Sequence, residues 1–132
     1  MGMTKKELLI VLSSPSGGGK TTICEIILKK HKDYVRSVSA TTRKRRKGER
    51  QGIDYLFMTE DEFKKKIKRS EFIEWAWVHG YRYGTPNQFV TRVKKTGKTA
   101  FFVLDVQGGM AMKRKYPESV LIFIFPPSMQ EL

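Results

Sequence analysis

The stretch LLIVLSSPSGGGKTT, residues 8 to 22, constrains this chain more than any other. An apolar run of strand composition breaks into Ser-Pro-Ser and three successive glycines, then continues as Lys20-Thr21-Thr22. Glycines in a row let consecutive backbone N–H groups curl inward at φ values that other residues resist, which makes a concave anion cradle. A helix starting directly after such a loop adds the partial positive charge of its N-terminus. The pattern G-x-x-x-x-G-K-[ST] is the phosphate-binding P-loop. Here Gly19-Lys20-Thr21 match its end, and Ser14 stands at the leading glycine. Ser14 is small and sits where the turn begins, so the cradle is expected to survive the replacement. Phosphate contacts are assigned to Ser16, Gly17, Gly18, Gly19, Lys20, Thr21 and Thr22. Lys20 would reach the β- and γ-phosphates, and the Thr21 hydroxyl would ligate Mg²⁺. A turn that merely joins strand to helix has little use for three glycines followed by Lys-Thr.

A P-loop also needs a second carboxylate at the end of another strand to organise the magnesium shell. FFVLD supplies one at Asp105, so the metal is assigned to Thr21 and Asp105, the latter directly or through water.

The rest of the chain can be sorted by periodicity. Glu7 to Leu12 reads as a buried strand, and a helix runs on from about Lys20 to His31 with Ile23, Ile26 and Ile27 inward. Tyr34 to Ser39 and Tyr55 to Met58 are short strand candidates on either side of a polar basic loop. Thr59 and Glu62 form a capping box that opens a helix to about Arg69, with Phe63 and Ile67 one turn apart. FIEWAWVHG has strand composition and YRYGTP reads as a turn. Thr85 is placed to cap a further helix with Pro86 at its first position and Phe89, Val90 and Val93 inward. TAFFVLD and SVLIFIF read as buried strands separated by a short helix around Met110 to Tyr116. Strand, helix and buried strand thus alternate at both ends. The fold class is α/β, a parallel core formed by 1–37 and 91–132, with an inserted α+β lobe over 38–90.

Composition narrows the partners. Lys and Arg number 26 against 13 acids, a net charge of +13 that calls for an anionic partner. RKRRKGER, residues 43–50, carries six bases and one acid, and KKKIKR, residues 64–69, carries five bases. The apolar runs are far shorter than the roughly 20 residues that span a bilayer, so no membrane partner is expected. Cys24 is alone, no secretory leader is read, and a reducing cytoplasm is the expected location.

Three further segments carry a resemblance. SVSATTRKRRKGERQGIDYLF, EFIEWAWVHGYRYGT and LDVQGG, in this order after the P-loop, closely resemble the guanylate kinases, from about Leu9 to Pro127. The resemblance implies a P-loop nucleoside monophosphate kinase core, an inserted GMP-binding lobe, and transfer of the γ-phosphoryl group of Mg·ATP to GMP. Ser39, Arg43, Arg46, Tyr55 and Tyr83 fall where that family holds GMP, the arginines and tyrosines on its phosphate. Glu74 and Thr85 fall where it reads guanine, and Lys20, Arg43 and Asp105 are the implied catalytic residues. The chemistry agrees. Arginine presents a planar fork that suits phosphate, and phenols donate to the remaining oxygens. A carboxylate at Glu74 can accept from both N1–H and the 2-amino group of guanine, whereas adenine would leave it unpaired.

The chain departs from the family at several places. Val103 stands where an acid is usual two positions before Asp105, and Lys44-Arg45 replace a frequent proline. The family continues past FPPSMQEL with an arginine-rich lid and further core elements. The expectation is therefore of a fragment that binds GMP with impaired turnover, the lid and C-terminal elements missing. Two other readings stand beside it, a P-loop kinase for a phosphorylated sugar and a non-catalytic guanylate-kinase-like module that binds phosphopeptides. Nucleic acid is disfavoured because no recognised binding motif accompanies the charge, and homo-oligomerisation is left open.

Overall fold

A computed structural model of the protein describes residues 8–14 and 20–124. In chain order its elements are β1 (Leu9–Ser13), α1 (Lys20–Lys30), β2 (Tyr34–Arg36), β3 (Ala40–Thr41), β4 (Leu56–Phe57), α2 (Glu60–Lys68), β5 (Phe72–Val78), β6 (Tyr81–Pro86), α3 (Asn87–Lys94), β7 (Thr99–Leu104), α4 (Val106–Lys115) and β8 (Val120–Phe123). They form two compact units, one from 1–36 and 92–132, the other from 37–91.

The first unit is a parallel sheet in the order β2-β7-β1-β8. β1 is buried along its whole length and pairs in parallel with both β7 and β8. A strand buried on both faces must be apolar throughout, which is why LIVLS shows no alternation. Cys24 on α1 packs with Ile10, Leu12 and Phe101, and Ile23, Ile27, Leu28 and Val103 close round them. The buried stripe of α1 therefore runs through 23, 24, 27 and 28, which is helical spacing. Ile26, expected inward, falls off that stripe and is 50% exposed. Ser13 is in register with Leu104, so Ser14 after β1 and Asp105 after β7 stand at the same end of the sheet. In open α/β sheets the carboxyl ends of the strands are where ligands bind. β8 also departs from expectation. Among the described residues it is one of the two edge strands, and Val120, Ile122 and Phe123 are exposed rather than buried.

The second unit is a mixed sheet in the order β4-β3-β6-β5, with β3 parallel to β4 and antiparallel to β6. YRYGTP, read as a turn, is instead strand β6, pairing with β5 from Val78↔Tyr81 to Phe72↔Pro86. The turn is the two residues before it, since His79 and Gly80 both have positive φ, 50° and 83°. That geometry matches the twist of a tight hairpin. A bulge between Phe72 and Glu74 lets Phe72 and Trp75 point to the same face, although three positions apart. On that face Phe63 of α2 is buried against Phe72, at 4.5 Å between ring centroids. Gly84 sits beneath both rings, and a Cβ there would meet each at 3.0 Å, so the close approach requires glycine. The capping box on α2 forms as expected. Thr59 Oγ1 accepts from Glu62 N, and Thr59 N donates back to the Glu62 carboxylate.

Candidate functional site

The two ends of the expected site fall in different units. In the first, Ser16, Gly17, Gly18 and Gly19 lie outside the described residues. Lys20, Thr21 and Thr22 form the first turn of α1, the helix that follows strand β1 in the chain. Asp105 is the N-cap of α4, and its Oδ1 accepts from Gly108 N at 2.7 Å. The carboxylate is thus held by the helix it begins, and Oδ2 has no hydrogen-bond partner among the described residues. A hard oxygen donor at this strand end suits Mg²⁺, which prefers one or two carboxylates together with phosphate oxygens and water. The buried Ser13 hydroxyl beside Gly109 also lacks a partner among the described residues, so polar capacity remains at this end of the sheet. Val103, where the family usually has an acid, packs on the apolar cluster under α1.

In the second unit the side chains are fixed by the sheet. β6 places Tyr83 and Thr85 on one face, and their partners on β5 are Ala76 and Glu74. Thr85 is fully buried, and its Oγ1 donates to Glu74 Oε1 at 2.7 Å. It is therefore a strand residue that orients a carboxylate, and it does not cap α3 as the sequence suggested. Pro86 likewise ends β6, and α3 begins at Asn87. Phe89, Val90 and Val93 of α3 are buried as expected.

Two residues along the same face, Tyr83 Oη accepts from Arg43 Nε at 3.1 Å. The Tyr55 and Tyr83 rings lie edge to face at 5.9 Å, and the Arg43 guanidinium stands 5.2 Å from the Tyr55 ring centroid. Arg43, Tyr55 and Tyr83 therefore converge, and the Glu74–Thr85 pair shares their sheet face. Arg46 is exposed on the same loop as Arg43, and Ser39 is half-buried, its carbonyl accepting from Leu56 N at the start of β4.

Sequence reasoning missed Glu49. Arg43, only 7% exposed, directs its fork at this carboxylate, Nη1 to Oε1 at 3.0 Å and Nη2 to Oε2 at 2.9 Å. Nη1 also donates to the Lys44 carbonyl. With the bond to Tyr83, four of the five guanidinium N–H groups are engaged, and the fifth has no partner among the described residues. Glu49 Oε1 also accepts from Arg46 N at 2.8 Å. The Arg43 hydrogen bonds first, then that of the Arg46 amide, hold the Glu49 carboxyl down at about 2. The same pair raises Arg43 above its ordinary value, through Glu49 before all else. The signal was present in RKRRKGER. A lone acid among six bases is a natural organiser of their side chains, and here it makes a fixed loop of what otherwise reads as a solvated charge run.

As built, this face offers a buried cation with phenols beside it, and a carboxylate oriented by a hydroxyl further along. Those groups can hold an anion at one end and a hydrogen-bond donor edge at the other. Among the described residues no cluster of three or more His, Cys, Asp or Glu is placed to hold a metal, and no helix is long and apolar enough to cross a membrane.

Comparison with known proteins points the same way. The family model described as Guanylate kinase matches residues 6–132. A guanylate kinase of Caldanaerobacter subterraneus subsp. tengcongensis is 48% identical over 132 residues, 100% of this chain and 64% of that protein. One from Myxococcus xanthus is 51% identical over 125 residues, 95% of this chain and 60% of that protein. The crystal structure of guanylate kinase from Anaplasma phagocytophilum superposes with a TM-score of 0.80 at 37% identity, over 96% of this chain and 64% of that one. The chain thus spans about three fifths of the length of the curated relatives it matches.

Proposed function

The chain belongs to the guanylate kinase family, and from that membership we propose that it takes part in phosphoryl transfer from Mg·ATP to GMP, giving ADP and GDP. The observation that carries the proposal is the shared sheet face of the second unit. Thr85 holds one oxygen of Glu74, and the Arg43–Tyr83–Tyr55 cluster stands two residues along the same strand. In this reading GMP lies across that face. Glu74 accepts from guanine N1–H and the 2-amino group, Thr85 keeps the carboxylate in place, and Arg43, Arg46, Tyr55 and Tyr83 receive the phosphate. Ser39, the residue just before β3, completes the contact. Glu49 fixes the Arg43 plane in advance, so little side-chain freedom is lost when the anion arrives.

On the donor side, Ser16 to Thr22 would cradle the ATP phosphates, with Lys20 on the β- and γ-oxygens. Thr21 and Asp105 are the residues that would hold magnesium. The metal would neutralise charge on those phosphate oxygens. A GMP phosphate oxygen then attacks the γ-phosphorus in line, and no covalent enzyme intermediate is needed. The cytoplasm, where both nucleotides occur, is the location this reading implies.

A coupled ADP-release assay with GMP, AMP and ribose phosphates as acceptors tests the proposal. Transfer to GMP alone is expected. Equal rates with AMP would remove the role given to Glu74, and preference for a ribose phosphate would favour a sugar-phosphate kinase. The expectation of impaired turnover is checked in the same assay against a full-length relative. Comparable rates would remove it.

A further inference from the structure

The β5–β6 hairpin has a second face that phosphoryl transfer does not use. Where Glu74, Tyr83 and Thr85 point one way, Trp75, Trp77 and Arg82 point the other. The Arg82 guanidinium lies 4.8 Å from the Trp75 ring centroid and 4.3 Å from that of Trp77, and its Nε donates to Glu60 at 2.9 Å. This fixes the two indoles as a platform. Trp77 is nevertheless 54% exposed and Trp75 37%, a large apolar exposure on a unit this small.

Two more observations bear on the same place. β5 is the last strand of its sheet, and among the described residues nothing pairs with its outer edge. Edge strands are normally blunted by brevity, proline, a bulge or an inward charge. β5 is seven residues long and has no proline, its bulge is confined to the start before Glu74, and its one charge, Glu74, faces the side of Thr85, so the run from Trp75 to Val78 is regular strand. Beside it, Lys64, Lys65 and Lys68 of α2 are exposed and have no carboxylate within ion-pair distance among the described residues. With Asp61, Ile67, Trp75 and Arg82 they border an open cavity of about 500 Å³, where four cations stand against the one carboxylate.

We propose that this face is a docking surface for an extended acidic segment of a partner protein, added as a strand along the outer edge of β5. Its backbone would pair with the outward-facing N–H and C=O groups of β5 on the side away from β6. Alternate side chains would then reach α2, where carboxylates meet Lys64, Lys65 and Lys68 and an apolar residue enters the cavity against Trp75. Charge selects the occupant. A second copy of this chain would bring the same lysines against themselves, whereas an acidic segment relieves them. A single-stranded nucleic acid could stack on Trp77 but would leave the β5 edge unpaired, so the edge favours a peptide.

The test uses the 132-residue chain and a fluorescent peptide as long as β5, alternating glutamate with leucine. Three controls accompany it: lysine in place of glutamate, N-methyl groups on alternate backbone nitrogens, and an oligothymidylate of equal length. Saturable, salt-sensitive binding of the acidic peptide is expected, unchanged by saturating GMP. Combining Lys64→Glu, Lys65→Glu and Lys68→Glu should weaken it by about tenfold or more, as should N-methylation, because the charges and the strand edge each contribute. GMP affinity and the far-UV circular dichroism spectrum of the triple variant should stay as in the parent, which excludes misfolding. Should the triple variant fail to fold, Trp77→Ala replaces it and should weaken the peptide severalfold. Absence of saturable binding up to about 1 mM, a very weak affinity, overturns the proposal. So does displacement by GMP, equal binding of the N-methylated peptide, or tighter binding of the oligothymidylate at the same face.

Discussion

The two units of this molecule set out their polar groups in opposite ways. In the parallel sheet, β1 and β7 are given over to the core, and Asp105 stands beyond the carboxyl end of β7 as the cap of α4. In the mixed sheet the strands themselves carry polar side chains, with Tyr83, Thr85 and Glu74 on one face. Backbone cradles and helix ends bind phosphate of any nucleotide. Oriented side chains on a strand can tell one base from another. Under the proposed function the difference would divide the labour, with a generic donor site at strand and helix ends and a selective acceptor site on a sheet face.

That comparison can be broken at several points. Among changes outside the base-reading pair, Arg43→Ala should have the largest effect. It removes a charge-assisted contact to phosphate of ~1.5–3 kcal/mol, so GMP affinity should fall by about 10–100-fold. ATP affinity should stay, and calorimetric titration of both nucleotides reads the outcome. Gly84→Ala acts on the scaffold alone. Its Cβ meets Phe63 and Phe72 at 3.0 Å, and overpacking of this kind costs about 1–3 kcal/mol. Urea unfolding should show the loss in the second unit, and a signal from the first unit that moved equally would mean that the two do not unfold separately. Asp105→Ala removes the cap of α4, a loss of about 1 kcal/mol and a few degrees in Tm. It should also weaken magnesium-dependent ATP binding and spare GMP.

The smallest effect concerns pH. The Glu49 carboxyl is held at about 2, below its ordinary 4.5, by the Arg43 hydrogen bonds first. A depressed carboxyl contributes stability that is present above pH 4.5 and is lost as pH falls from there through about 2. Glu49→Gln should flatten that acid limb in thermal melts and leave the curve near neutrality with the same slope. An unchanged acid limb would mean that the Arg43–Glu49 pair does not form in solution.

Much of this was legible in the sequence, where local chemistry is decisive. The capping box at Thr59 and Glu62, the apolar runs of β1 and β7, and the inward residues of α3 all come from spacing. Legibility failed where tertiary pairing overrode local signals. Gly84-Thr85-Pro86 has the composition of a turn, yet Gly84 is there to let two phenylalanines approach, and Thr85 turns to Glu74. His79-Gly80, which makes the hairpin, is less conspicuous than the residues after it. SVLIFIF has the composition of a buried strand, but among the described residues β8 is at an edge of its sheet, and strand order does not appear in a composition. Most site residues were named from motif positions. Glu49 was not, because its role depends on a loop that folds back over six residues to meet Arg43.

The division of labour itself is tested most directly by crossing two variants with two ligands. Lys20→Ala and Glu74→Ala are each titrated with GMP and with ATP by calorimetry. Glu74→Ala should lose two charge-assisted bonds to guanine, on the order of 10²–10⁴ in GMP affinity, and keep ATP. Lys20→Ala should weaken ATP and leave GMP as it was. Equal losses of both nucleotides in both variants would contradict the account, because neither unit would then own its ligand.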